Sequence, residues 1–239
     1  MKRPQRGFNL ISLMIGMTLS LISILAMLAL YKNMVGISVR SIQDAQQDGQ
    51  VSAGLLTAQL EMRNAGFGMD LPISNSIVLL KDAKLTGGTI TSETPYDPPN
   101  ANKGNALLWA SKTSASPANV ANCAGLMVQG GQLLHLKSAG TCTDIHSDWR
   151  TLTWSSTILV KAPEQPSDDN NYGNVQPSGF FKTESSKCWP YGKYSESTLP
   201  DRLKVIMTAS ISAKDSTGSA IQSTSEVCLP NLPAPPKNP

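Results

Sequence analysis

The sequence predicts an α+β chain: one long N-terminal helix, apolar in its first half and amphipathic in its second, packed on an antiparallel β-rich head. Three observations predict it. An uncharged, mostly apolar stretch runs from Phe8 to Tyr31. Beyond it, apolar residues recur every three or four positions as far as Leu60, and no proline stands between Pro4 and Pro72. After Asp70, short β-leaning runs alternate with clusters of Gly, Pro, Ser and Asn. The 239 residues suffice for one sizeable globular domain plus a long helix.

The N-terminal element comes first. Lys2, Arg3 and Arg6 form a basic head before Gly7-Phe8. The apolar run after it has the ~20 residues needed to cross a bilayer as a helix. It is longer than the roughly 7–15 residues of a secretory signal core, and no A-x-A triplet lies near Ala26 to Asn33. The hydrophobic segment is therefore expected to be kept, with the unusual junction ahead of it at Gly7-Phe8. The three basic residues account for the whole formal charge of +3, leaving 17 residues of each sign in the remainder. Bulk charge thus gives no sign of a nucleic-acid patch. Basic residues stay cytoplasmic, which places the rest of the chain on the periplasmic or outer side.

The junction, read as Lys2, Arg3, Arg6, Gly7 and then Phe8-Asn9-Leu10-Ile11-Ser12-Leu13-Met14-Ile15, resembles the prepilin signal of type IV pilins and type II secretion pseudopilins. The resemblance implies cleavage between Gly7 and Phe8 by a prepilin peptidase, with N-methylation of Phe8. It implies a pilin fold, insertion in the inner membrane with the head in the periplasm, and later display on a pilus at the cell surface. Its implied partners are other major and minor pilins and an inner-membrane assembly platform. The family's Glu five residues after the cut is replaced by Ser12. A carboxylate in hydrocarbon is retained only with a partner. A subunit without it has no need to dock under another, which suits a place at or near a filament tip. Ser12 can instead bond back to a carbonyl one turn earlier.

The second half of the helix carries Val35, Val39, Ile42, Ala45, Gly49, Ala53, Leu56, Leu60 and Phe67 at helical spacing. This stripe is expected to seat on the head, with the polar face outward. The helix is expected from near Phe8 to near Asn64, ending in Ala65-Gly66-Phe67-Gly68, where glycine accepts the left-handed conformation. Leu60-Glu61-Met62-Arg63-Asn64-Ala65-Gly66-Phe67 is similar to a stretch of the PilW-like minor pilins and of J-type pseudopilins. Residues 1–7 are thus expected to be a leader, 8–31 the membrane or filament-core half, 32–66 the amphipathic half, 67–229 the head and 230–239 a proline-rich extended or disordered tail.

Cys123, Cys142, Cys188 and Cys228 all follow the membrane segment, and an even count in an oxidising space suggests two disulfides. Of three possible connectivities, Cys123–Cys142 and Cys188–Cys228 close the shortest loops. Strands are expected at Ser76–Leu80, Gly88–Thr91, Ala106–Trp109, Gly125–Val128, Gln132–Lys137, Thr151–Val160 and Arg202–Ile211. Leu133–Lys137 and Leu203–Met207 alternate as half-buried strands do. Ser92–Lys103 and Ala162–Gly179 read as long loops. Trp109, Trp149, Trp154 and Trp189 read as core or interface anchors.

No phosphate loop, zinc spacing or nucleophile elbow is present, so no catalysis, metal or cofactor is expected. Asp168-Asp169-Asn170-Asn171 clusters oxygen donors but lacks the spacing and distal Glu of an EF-hand, and reads as a solvated turn. The expected function is a minor pilin acting mechanically in assembly, in a tip or initiation complex. The alternatives are a type II secretion pseudopilin, a tip-displayed adhesion or DNA-uptake module, and an unrelated membrane-anchored enzyme.

Overall fold

The structure, a computed structural model, describes residues 10–69, 73–96, 98, 102–112, 121–140, 142–162, 175, 179–189, 201–214, 216 and 220–232. The leader with Gly7 and Phe8, the Asp168–Asn171 cluster and tail residues 233–239 lie outside the described residues. The chain divides into two compact units, Met1–Ala45 and Gln46–Pro239. Helix α1, Leu10–Met62, is 53 residues long.

In the first unit the described residues are helix alone, and every one before Asp44 is exposed. This one helix is long and apolar enough to cross a membrane. Three of its hydroxyls are answered within it. Thr18 donates to the Ile15 carbonyl at 2.9 Å, Ser20 to Met17 at 3.0 Å and Ser23 to Leu19 at 2.9 Å. Intrahelical partners of this kind are what a hydroxyl needs where water is absent.

In the second unit, α1 ends at Met62 and the chain turns through Gly66 and Gly68, whose φ of 74° and 66° are left-handed. Asn231 donates to the Arg63 carbonyl at 2.7 Å, answering one of the acceptors that a helix end leaves open. Among the described residues twelve strands follow, in antiparallel pairs. They are β1 (Ile77–Lys81), β2 (Lys84–Thr86), β3 (Thr89–Thr91), β4 (Thr94–Tyr96), β5 (Lys103–Gly104), β6 (Ala106–Ser111), β7 (Asn122–Gln129), β8 (Gln132–Ser138), β9 (Trp154–Val160), β10 (Phe181–Lys187), β11 (Asp201–Lys214) and β12 (Ala220–Cys228). Short helices α2 (Ile73–Ser76) and α3 (Ile145–Asp148) precede β1 and β9. The larger sheet has the order β4-β1-β6-β7-β8-β9, the smaller β12-β11-β10-β5, and β2-β3 is a separate hairpin. Gly130-Gly131, with φ of 59° and 74°, closes β7 onto β8 in a two-residue turn with both central residues left-handed.

The sheets and α1 share one core: Val51, Leu55, Ala58 and Met62 of the helix meet Ile77, Leu107, Trp109, Leu126, Phe181, Val205 and Met207. Gly54 lets α1 approach β9, because a Cβ there would collide with the Val160 side chain. The far face of the larger sheet builds a second core of Val78, Leu80, Leu108, Met127, Leu134, Leu136, Ile145, Trp149 and Trp154.

Several expectations are corrected. The stripe Val35, Val39, Ile42, Leu56, Leu60 and Phe67 is exposed, and the helix seats on Val51, Leu55, Ala58 and Met62 instead. At about 100° per residue, Ala53, Leu56 and Leu60 lie roughly 130–170° from that seat. The helix has two opposed apolar faces, and the head covers the one that carries Val51, Leu55, Ala58 and Met62. Leu133–Leu136 is buried on both faces rather than one, because the second core covers the far side. The strand expected from Thr151 begins at Trp154, since Thr151 still belongs to the turn after α3, its N–H donating to the Asp148 carbonyl. The expected loop Ser92–Lys103 contains β4, an edge strand where the missing N–H of Pro95 is tolerated. In the expected tail, Leu232 is buried beside Gly66, just past the end of α1. Trp109, Trp149 and Trp154 are core residues, whereas Trp189 is 39% exposed.

Candidate assembly surface

The apolar residues left open are the surface that calls for a partner. In the second unit Ala53, Leu56 and Leu60 form a row along the outer side of α1, and Phe67 past the helix end, Ile158, Trp189 and Ile221 are also exposed. Leu56 is 58% exposed, Leu60 55% and Phe67 54%. A Cβ on Gly49, at the start of this row, would meet nothing. In the first unit, Val35, Val39 and Ile42 are exposed among apolar residues open on every side of the helix.

Polar side chains on the two flanks of α1 set which apolar face looks outward. On one flank, Gln59 Nε2 donates to Ser225 Oγ at 2.6 Å and to the Glu226 carbonyl at 3.1 Å, both in β12. On the other, Glu61 Oε2 lies 3.9 Å from Nε2 of His135 in β8. Gln59 ties one flank to the smaller sheet by hydrogen bonds, and Glu61 faces the larger sheet on the other, with the Val51–Met62 face inward between them. Sequence reasoning missed these contacts, since a Gln and a Glu on a helix carry no mark of strands 74 or more positions away (the nearer partner, His135, follows Glu61 by that distance).

The smaller sheet carries a charged row on its outer face. Lys182 donates to Glu184 at 2.7 Å, and Lys204 reaches Glu184 at 2.8 Å and Glu226 at 3.3 Å. Hydrogen bonds from Lys182 and then Lys204 hold the Glu184 carboxyl below its usual range, and Glu184 in turn raises Lys204. Signs alternate, so the row satisfies itself and offers no single-sign face to a ligand.

Of the residues singled out in the sequence, Ser12 lies exposed in the first turn of α1. The cysteines pair as Cys123–Cys142 and Cys188–Cys228, and no free cysteine is present among them. The first bridge sits in the second core and the second joins the ends of β10 and β12, so they staple different parts of the head. His146 stands on α3, apart from His135, and the described residues bring no three metal-ligating side chains together. The chain matches no family model, no curated protein and no solved structure.

Proposed function

We propose that this chain is a minor pilin of the PilW-like kind, a structural subunit that takes part in type IV pilus assembly in a tip or initiation complex. The observation that carries the proposal is the open apolar surface of α1: a bare apolar helix in the first unit, and in the second a row opposite the face that the head covers. Exposed apolar surface of this extent marks a membrane or protein interface. A subunit that passes from bilayer to filament uses both, since lipid covers the helix first and neighbouring helices cover it afterwards. The leader motif supports the same function, with the peptidase and the inner-membrane platform as partners. The work is mechanical and involves no catalysis by this chain.

The test is the N-terminus of the full chain recovered from cells that mature their other pilins. Sequencing and intact mass are expected to give a chain beginning at Phe8 with one added methyl group. A chain beginning at Met1 overturns the proposal and leaves a membrane-anchored protein of another class. Loss of the subunit from pili, or instead from a secretion system, when each machine is deleted separates the pilin from the pseudopilin. Ser12→Glu is expected to move the subunit away from the filament end or lower filament number. Unchanged filament counts and unchanged labelling position would show that Ser12 has no positional role.

A further inference from the structure

The seat of α1 on the larger sheet includes one ionisable ring that its packing does not require. His135 stands in the middle of β8, with Leu126 of β7 and Thr157 of β9 opposite it in register, neither of which ionises. Its side chain is 8% exposed, and Nε2 is buried with no hydrogen-bond partner. From α1, Glu61 presents a carboxylate oxygen at 3.9 Å, beyond hydrogen-bonding distance. Lys137, two residues along the same strand, is the other charged group acting on the ring. Burial holds the ring's pKa below the usual histidine value, Glu61 opposes that shift in part, and Lys137 adds to it. At neutral pH the imidazole is therefore uncharged, which spares the seat a buried charge.

We propose that His135, set against Glu61, is an acid-operated release for the head half of α1: on acidification the ring takes up a proton where water cannot hydrate it, and the contact between helix and sheet loosens. The inference concerns the head by itself and stands whether or not the chain is a pilus subunit. Its sign follows from linkage. The folded pKa lies below the unfolded one, so the unfolded chain binds the proton first as pH falls. The stability contributed by the neutral ring is complete above about pH 6.5 and is lost as pH drops from there toward the lowered folded value. At pH 5.5 the loss in the folding equilibrium constant is at most about tenfold. Glu184 and Asp148, whose carboxyls are also shifted downward, act in a separate window, since unfolded carboxyls titrate near pH 4.

The experiment uses the full chain in detergent micelles. Unfolding midpoints and amide exchange in residues 55–62, corrected for the intrinsic pH dependence of exchange, are followed from pH 7.5 to 5.5. The wild type is expected to lose midpoint and up to about tenfold in protection. His135→Gln is expected to flatten both profiles. Glu61→Gln, at a position 37% exposed and so tolerant of change, is expected to steepen the loss by removing the one opposing charge. The same Glu61 change made on the His135→Gln background is expected to leave the profile flat. Parallel profiles for wild type and His135→Gln overturn the proposal, as does a Glu61→Gln profile no steeper than wild type. Should His135→Gln fail to fold, Glu61→Gln alone decides the question.

Discussion

On the proposed function, changing Leu56 and Leu60 together to Asp is expected to remove the chain from filaments while leaving the head folded. Both side chains are more than half exposed, so the new carboxylates remain in water in the free subunit. Surface changes of this kind usually move stability by no more than about 0.5 kcal/mol. Against a neighbouring apolar helix, the same carboxylates would be buried without partners, at a cost of several kcal/mol each. Leu55→Asp, one position before Leu56, has the opposite outcome. Leu55 is 6% exposed within the shared core, and an unpaired carboxylate there is expected to unfold the head. Thermal unfolding of each variant and its abundance in sheared filaments check both statements. Normal incorporation of the Leu56–Leu60 variant would remove the outer row from any role in assembly.

Loss of the Cys188–Cys228 bridge is expected to be the most damaging covalent change. The two cysteines are 40 residues apart, and the bridge ties the end of β10 to the end of β12 across the intervening β11. By loop-closure entropy it stabilises by about 4 kcal/mol, against about 3 kcal/mol for Cys123–Cys142 with its separation of 19. A small domain has roughly 5–15 kcal/mol in total, so either loss is a large share. Cys188→Ser with Cys228→Ser should lower the melting midpoint by roughly 8–16 °C at this size. The paired change at Cys123 and Cys142 should lower it less by closure entropy alone. Calorimetry of the two double variants checks the order.

Much of the architecture was legible in the sequence, and the misses have physical causes. β6, β7 and β8 announce themselves by apolar runs and by Gly130-Gly131, whose backbone demands few residues other than glycine satisfy. β10 and β12 do not. Phe181 and Thr183 are buried in β10, but Ser185, Ser186 and Lys187 are not, and in β12 Val227 and Cys228 are buried while Ile221–Glu226 are not. Such strands are specified by the long β11 between them rather than by their own composition. The helix stripe was recognised and assigned to the wrong side. Its period is the same as that of the true seat, and no local signal says which of two opposed apolar faces a sheet will cover. Gly54 was the available clue, since the sheet approaches most closely where a Cβ is missing. The flank contacts from Gln59 and Glu61 could not be read, because they join residues far apart in sequence.

The second core has a consequence of its own. Trp149, Trp154, Ile145 and the Cys123–Cys142 bridge pack on the sheet face away from α1, and they meet the helix only through the strands. Because strands of the larger sheet stand between the two cores, substitutions confined to that outer layer are expected to leave the seat of α1 in place.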